Sequence, residues 1–150
     1  MKIVELPLRE AAEQIYHLQQ RSYRVEAELL GFWELPPLLE TAADLKCSGE
    51  TFWGCYAGEA LAGVLSFKQN GGELDIHRLV VDPPFFRQGV AAALLQRLAC
   101  AYNDKTCVVT AAERNVPAVA LYKRSGFVET GRIEPVPGLV MLRLEKYGRG

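Results

Sequence analysis

A short apolar strand that stops at a double proline and leads into a helix restricts the fold of this chain more than any other feature. The segment is LVVDPPFFRQGVAAALL, residues 79–95. Leu79, Val80 and Val81 favour a buried strand, and Pro83-Pro84 ends it, because proline cannot donate to a sheet ladder. Apolar residues at positions 90, 91, 94, 95, 98 and 102 then follow helical spacing. The sequence therefore predicts a strand–turn–helix unit.

The turn in front of this helix is suited to an anion. Gly89 and Ala91 fall in the first helical turn, where backbone N–H groups have no partner inside the helix and small residues allow close approach. We interpret the N–H groups from Gln88 through Val90 to Ala91 as a cradle for a pyrophosphate, assisted by the helix dipole and by Arg87. An ordinary strand-to-helix turn is the alternative, since one glycine is a weaker signal than GxGxxG.

The same segment resembles the acetyl-coenzyme A binding motif of the GNAT superfamily of N-acetyltransferases. That motif, Q/R-x-x-G-x-G/A, follows a strand that ends in a V-x-P-like turn, and it falls here on residues 86–91. Gly89 and Ala91 match its small positions, whereas Phe86 stands where the family usually has Gln or Arg. The neighbouring Arg87 is expected to supply that positive charge instead. The resemblance implies that the chain binds acetyl-CoA as a co-substrate.

A second motif of this family occurs downstream, in the expected order. Residues 115–127, NVPAVALYKRSGF, match N-x-x-A-x-x-L-Y-x-x-x-G-F at every fixed position. In the family the tyrosine, here Tyr122, reaches the coenzyme sulfur, and the asparagine, here Asn115, bonds the pantetheine or phosphate region. The resemblance also implies that main-chain groups of Leu79, Val80 and Val81 pair with the thioester carbonyl and the pantetheine amides.

The predicted elements follow the order β-αα-βββ-α-β-α-ββ. Strands are expected near 3–6, 51–56, 61–69, 73–81, 106–110, 127–133 and 140–145. Helices are expected over 8–30, as one helix or two, over 38–47, and starting at residues 90 and 115. The two strands that flank the central helix should be parallel, because a strand–helix–strand crossover places them that way. This is the order of the GNAT fold, which is α+β: a mixed, mostly antiparallel sheet flanked by helices, with a splayed parallel pair that holds the cofactor. We predict one acetyltransferase domain over residues 1–150.

Composition restricts the classes of partner. Seventeen basic and eighteen acidic residues give a net charge of −1, which disfavours a nucleic acid or an anionic membrane as partner. No apolar run reaches the ~20 residues of a membrane helix, and the start of the chain lacks a signal-peptide core, so we predict a cytoplasmic protein. Four cysteines without a CxxC pair and two histidines give no sign of a metal site. The oligomeric state stays open, with a homodimer as one alternative.

Acetyl transfer to an amine requires a base, because a protonated amine cannot attack a thioester. Glu73, Asp75 and His77 alternate along the strand that leads into the cofactor turn. Asp75 matches the position of a catalytic carboxylate in some GNAT members, so we choose it as the base, acting through water. Glu73 and His77 are the alternatives, unless all three are solvent-facing polar residues. Tyr122 is expected to protonate the leaving thiolate, because a phenol stays protonated at neutral pH; a core aromatic is its alternative.

The acceptor side is described less well by the sequence. In this family the acceptor side is formed by the N-terminal helical region. The aromatic and acidic residues of that region here are Tyr16, Tyr23, Glu26, Phe32, Trp33 and Glu34. They would favour a cationic amine as the acceptor, and the alternative is that they are core or solvent-facing residues without a substrate role. We predict an N-acetyltransferase that moves an acetyl group from coenzyme A to a primary amine, on a small molecule or a peptide, by direct attack in a ternary complex. A non-catalytic acyl-CoA-binding or regulatory module is the second hypothesis.

Overall fold

A computed structural model describes residues 1–31, 33 and 35–149. Within these residues the strands are β1 (Lys2–Glu5), β2 (Thr51–Ala57), β3 (Ala60–Asn70), β4 (Glu73–Val81), β5 (Thr106–Ala112), β6 (Val128–Val136) and β7 (Leu139–Lys146). The helices are α1 (Leu8–Leu30), α2 (Pro36–Leu39), α3 (Ala42–Lys46), α4 (Val90–Ala101) and α5 (Val116–Arg124), with a single 3₁₀ turn at Pro83–Phe85.

The strands form one sheet in the order β1-β2-β3-β4-β5-β7-β6. Only β4 and β5 run parallel among the described strand pairs, and α4 connects them, as the crossover argument predicts. The remaining neighbours are antiparallel. This architecture confirms the predicted fold class, a mixed and mostly antiparallel α+β sheet flanked by helices.

The parallel pair separates after three residues. Glu73, Leu74 and Asp75 are in register with the first three residues of β5, and beyond them β4 stays paired only with β3 within the described sheet. β5 meanwhile continues alongside β7. The two strands therefore splay apart, and the main chain of residues 79–81 faces the resulting gap.

Helices cover both faces of the sheet. On one face, the apolar stripe of α4 packs against buried side chains of β4 and β7. This core includes Leu74, Leu94, Leu98, Tyr122 and Leu144. On the other face α1 buries a stripe at helical spacing against β2, β3 and β4; this core includes Ala11, Ile15, Leu18, Phe52 and Val80. Each large apolar side chain that is fully buried contributes about 1.5–3 kcal/mol, so both helices are held firmly to the sheet.

A close approach of backbone to side chain sets the position of α4. A Cβ atom at Gly63, in β3, would lie 2.5 Å from Cγ1 of Val90 and 3.1 Å from the carbonyl oxygen of Val80. Glycine is required here because no other residue leaves room for the first residue of α4 against the sheet. The turn before α4 is thereby fixed next to the end of β4.

Two predicted elements differ from the structure by more than two residues. The helix expected over 38–47 is two short helices, because Thr41 starts α3 with a capping box: its hydroxyl accepts from the N–H of Asp44 at 3.2 Å, and the Asp44 carboxylate accepts from the N–H of Thr41 at 2.8 Å. β6 does not end at Ile133 but continues to Val136, with an irregular register between the two. The N-terminal helix is a single helix over residues 8–30, which Gly31 ends with φ 66°.

Candidate active site

The turn between β4 and α4 has the backbone geometry of an anion cradle. Arg87 and Gly89 both have positive φ, 62° and 79°, and Gly89 is the N-cap of α4. The first bond of this helix is donated by Ala93 N to Gly89 O, at 3.0 Å, so the N–H groups of Val90 and Ala91 are not used inside the helix. No heavy atom lies within 4 Å of a Cβ built at Gly89. The turn thus presents N–H groups that are unused within the helix, with open space beside Gly89, and this arrangement fits a diphosphate.

The side chains of this turn differ in their roles. Gln88 donates from Nε2 to the carbonyl oxygen of Pro84 at 3.2 Å, so its side chain holds the turn rather than a ligand. Arg87 is exposed, and a non-glycine residue in the left-handed region costs about 1–2 kcal/mol. Backbone strain of this kind is concentrated at binding and catalytic sites. Phe86, at the position where the motif usually has a cationic or amide side chain, is also exposed.

A bidentate ion pair ties this turn to α1. Arg21 donates from Nε to Oδ1 of Asp82 at 2.8 Å and from Nη2 to Oδ2 at 2.9 Å. Asp82 also donates its N–H to Ala62 O and accepts at its own carbonyl oxygen from Phe85 N, both at 2.8 Å. Sequence reasoning missed this pair, because its members are 61 residues apart. Such two-point contacts hold a geometry that a single charge contact does not.

On the other side of the splay, beyond the end of β5, α1 meets the start of α5. Asn115 donates from Nδ2 to Oε1 of Glu26 at 2.8 Å, and its Oδ1 accepts from the N–H of Ala118 at 3.3 Å. The amide therefore caps α5 and holds a carboxylate at the same time. The cap agrees with the sequence, whereas the bond to Glu26 was not foreseen. The cofactor contact expected for Asn115 stays a prediction.

Glu26 and two tyrosines near it, Tyr23 and Tyr122, all have a raised pKa. Burial raises the pKa of the Tyr122 hydroxyl well above its usual range, and the charge of Glu26 adds to the shift. Burial, Glu26 and Tyr122 likewise raise the pKa of Tyr23. Burial raises the pKa of the Glu26 carboxyl, and the hydrogen bond from Asn115 offsets only part of that shift. Tyr122 is 6% exposed, with its ring edge-to-face against Phe127 at a centroid distance of 5.4 Å. Its hydroxyl is therefore a proton donor throughout the neutral range.

The carboxylate chosen from the sequence lies elsewhere on β4. Asp75 is in the paired part of the strand, four residues before Leu79, which corresponds to about 13 Å along the strand. Oε2 of Glu73 lies 3.8 Å from Nη2 of Arg143. Nδ1 of His77 lies 3.8 Å from Oε2 of Glu50. The structure thus brings Asn115 and Tyr122 together around Glu26, while the role of Asp75 as base stays a prediction.

A buried cation forms a second cluster on the α1 face. Arg78 is 7% exposed; it donates from Nε to Oε1 of Glu50 at 2.8 Å, from Nη2 to Oε2 of Glu40 at 2.9 Å, and from Nη1 to Oε1 of Gln19 at 2.8 Å. Burial alone would raise the pKa of Glu50, but hydrogen bonds from Arg78 and Ser66 outweigh it and lower that pKa. The cluster joins α1, the α2–α3 connection, the segment before β2, β3 and β4, and no local sequence pattern indicates it.

A bulge in β4 brings Arg78 to that face. Ser66 is in register with Arg78 and Phe67 with Ile76, so His77 is an extra residue that reverses the alternation of the strand. Leu74 and Ile76 consequently face α4, whereas Arg78 faces α1. A strictly alternating strand would have placed this charge among the apolar side chains under α4.

The residues expected on the acceptor side do not all lie together. Tyr23 and Glu26 lie in the cluster with Tyr122, whereas Tyr16 packs against the α1 core. Trp33 is exposed. Phe32 and Glu34 lie outside the described residues. The aromatic and acidic set thus contributes two members to the candidate site.

The residues that the structure describes form neither a metal-binding cluster nor a membrane-spanning helix. Among the residues that the structure describes, no group of three or more His, Cys, Asp or Glu side chains is arranged to hold a metal ion. None of the described helices combines the length and the apolar character needed to cross a membrane.

Comparison with known proteins points to one family. The sequence profile of the Acetyltransferase (GNAT) family matches residues 12–127. The UPF0157 protein YqkA of Bacillus subtilis (strain 168) is 37% identical over 137 residues, which is 91% of this chain. This chain spans 40% of the length of that relative.

Solved structures share the fold. The ribosomal-protein-S18-alanine N-acetyltransferase of Escherichia coli superposes with a TM-score of 0.80 at 18% identity, covering 99% of this chain and 96% of that one. The PaiA N-acetyltransferase of Thermoplasma acidophilum, determined in complex with coenzyme A, gives a TM-score of 0.73 at 16% identity, covering 97% and 98%. At these identities the likeness concerns the fold.

Proposed function

The chain belongs to the GNAT acetyltransferase family, and from this premise we propose that it transfers the acetyl group of acetyl-CoA to a primary amine, by direct attack in a ternary complex. One observation carries the proposal. β4 leaves its parallel partner after Asp75 and leads directly into the glycine-capped turn before α4, so an open strand edge and an anion cradle lie in line. A long thioester that carries a diphosphate is the ligand such a layout suits.

The proposal assigns residues to the pyrophosphate, the pantetheine and the thioester of acetyl-CoA. In the proposed complex, N–H groups of residues 88–91 bind the pyrophosphate, with Arg87 adding positive charge. Main-chain groups of Leu79, Val80 and Val81 pair with the pantetheine amides and the thioester carbonyl, because the gap leaves them without β5 partners in the described sheet. The thioester supplies an activated acetyl group when it is bound there.

Tyr122 is the proposed acid of the reaction. The amine nitrogen attacks the thioester carbonyl carbon, the carbon–sulfur bond breaks, and the Tyr122 hydroxyl protonates the departing thiolate. Support comes from its raised pKa, which keeps the phenol protonated, and from its place on the helix that begins beside the splay. Asp75 is retained as a candidate base that acts through water. A cytoplasmic location, and a small-molecule or peptide amine as acceptor, remain sequence predictions.

The proposal is tested by two measurements on the wild-type protein. Calorimetry should show binding of acetyl-CoA, and incubation with a panel of alkylamines and amino-terminal peptides should release free thiol, with the acetylated amine identified by mass spectrometry. Binding without thiol release from any amine would favour the acyl-CoA-binding module. A protein that binds neither acetyl-CoA nor coenzyme A would contradict both hypotheses.

Replacing Gly89 should weaken binding of the coenzyme. Gly89→Ala places a Cβ on a residue with φ 79°, where an L side chain costs about 1–2 kcal/mol, and relaxation of that strain would turn the N–H groups of Val90 and Ala91. We expect the Kd for acetyl-CoA to rise about tenfold, which is about 1.4 kcal/mol, measured by calorimetry.

Gly58→Ala is the matched control for this change. Gly58 has φ 63° in the β2–β3 connection, and a Cβ there meets no heavy atom within 4 Å, as at Gly89. Both variants should lose similar stability, but Gly58→Ala should bind acetyl-CoA as the wild type does. Equal Kd values for the two variants would show that the turn does not carry the coenzyme.

A further inference from the structure

The carboxylate of Glu26 is held at one oxygen and open at the other. Asn115 engages Oε1 from a residue 89 positions away. Oε2 of Glu26 has no hydrogen bond to any residue that the structure describes. Among those residues every buried side-chain nitrogen or oxygen has a hydrogen-bond partner, so Oε2 is not buried and is accessible to a ligand. A carboxylate fixed in this way has a defined direction from which it can accept a proton.

No protein cation neutralises this carboxylate. Among the described residues Glu26 forms no salt bridge, and Arg114, which lies one position before Asn115, donates from Nη1 to Leu30 O at 3.0 Å. The groups that face Glu26 are the phenols of Tyr23 and Tyr122, together with the Asn115 amide. A partly buried carboxylate without a cation is costly, so a cationic ligand would be bound favourably there.

We propose that Glu26 is a catalytic residue that binds the acceptor as an alkylammonium ion and takes its proton at Oε2, with Asn115 as its positioning residue. This inference rests on the proposed acetyltransferase function. It narrows the acceptor to amines that are protonated at neutral pH, since arylamines and hydroxyl groups carry no charge for Glu26 to bind. It also supplies a base that contacts Asn115, the N-cap of the helix that carries Tyr122. Asp75, by contrast, lies about 13 Å before Leu79 along β4.

The protons balance over one turnover. The ammonium group gives its first proton to Glu26, which passes it to water. The nitrogen lone pair then forms the carbon–nitrogen bond, and the carbon–sulfur bond breaks with its electron pair on sulfur. Tyr122 protonates the thiolate, and the second amine proton, released as the amide forms, restores the Tyr122 hydroxyl. The net result is one amide, one thiol and one proton.

The test is Glu26→Gln, which keeps the shape and the bond to Asn115 but removes the base. With an alkylamine, kcat/KM should fall about 10²–10⁴-fold. With an alkoxyamine, which is neutral at pH 7, the fall should be less than about tenfold, because no proton has to be removed before attack. Calorimetry should show an unchanged Kd for acetyl-CoA, and weaker binding of the alkylammonium ion to the protein saturated with coenzyme A.

Glu28→Gln is the matched control, since Glu28 lies on the same helix, is exposed, and loses the same charge; its kinetics should equal those of the wild type. Asn115→Ser keeps an N-cap but removes the donor to Glu26. Because that hydrogen bond lowers the pKa of Glu26, its loss should move the acid limb of the kcat/KM profile to higher pH. Tyr23 and Tyr122, whose pKa is raised, do not titrate in that range.

The outcomes separate the two proposals. A wild-type protein that turns over no amine contradicts the acetyltransferase function itself. A wild-type enzyme whose Glu26→Gln variant keeps its alkylamine activity, or loses activity equally with both kinds of amine, overturns the role of Glu26 only. Asp75→Asn measured in parallel identifies the base in that case: a selective loss with alkylamines would assign the proton to Asp75.

Discussion

Tyr122→Phe is expected to lower kcat for acetyl transfer by about 10²–10⁴-fold, the range for loss of a general acid. The substitution removes only the hydroxyl, since the phenyl ring can keep its edge-to-face contact with Phe127. Coenzyme A would then leave as an unprotonated thiolate, at a much higher barrier. The Kd for acetyl-CoA should change by less than about threefold, because the proposed contacts of the diphosphate and pantetheine are made by backbone groups.

Steady-state thiol release and calorimetry measure the two quantities for Tyr122→Phe. Tyr147→Phe is the control, since Tyr147 is 65% exposed and should give wild-type kinetics. Burial raises the pKa of Tyr122, so the protonated form persists as the pH rises, and Tyr122 should cause no loss of rate below about pH 10. A variant with more than a third of the wild-type kcat would show that Tyr122 is a core aromatic and that the thiolate is protonated elsewhere.

The largest effect on stability is expected for Arg78→Met. The change leaves Glu50, Glu40 and Gln19 without their shared donor, and a buried ion pair that loses one partner costs about 3–5 kcal/mol. In a chain of this size we expect Tm to fall by roughly 10 °C. Urea denaturation at pH 7 measures the free energy of unfolding. Arg97→Met, at an exposed position of α4, should change it by less than about 0.5 kcal/mol.

The pH dependence of this effect follows from Glu50. Its folded-state pKa lies below the unfolded value, so its contribution is fully present above the unfolded pKa of about 4.3 and is lost as the pH falls through the folded pKa. The difference in the free energy of unfolding between the wild type and Arg78→Met should therefore be largest near pH 7 and become smaller below about pH 4. Adding Glu50→Gln to Arg78→Met should recover part of the loss at pH 7. A difference under about 1 kcal/mol at pH 7 would mean that water solvates the cluster.

The features that sequence reasoning predicted are local ones. The end of β4, the turn and the first residues of α4 follow from prolines, a glycine and an apolar stripe within residues 79–95, and the N-cap at Asn115 follows from residues three apart. The parallel β4–β5 pair also follows, because the crossover through α4 lies within one short stretch of chain. These patterns are complete in a single segment, so they can be recognised without the fold.

The contacts that sequence reasoning missed join distant segments. Arg21 and Asp82 are 61 residues apart, Glu26 and Asn115 are 89 apart, and Gln19 and Arg78 are 59 apart. No periodicity or motif relates such positions. The family resemblance selects Asp75 as the base, and that assignment stays a prediction. Glu26 becomes a second candidate only in the folded protein, because the packing of α1 brings it beside Asn115.

Both sides of the proposed site are attached to α1, by Arg21 at the diphosphate turn and by Glu26 at the start of α5. These two residues are five positions apart, which corresponds to about 7.5 Å of helical rise and somewhat more than one turn. An insertion or deletion of one residue between them would rotate one side chain by about 100° relative to the other, and one attachment would be lost. Variation in the length of this chain is therefore tolerable in its connecting loops but excluded from the middle of its longest helix.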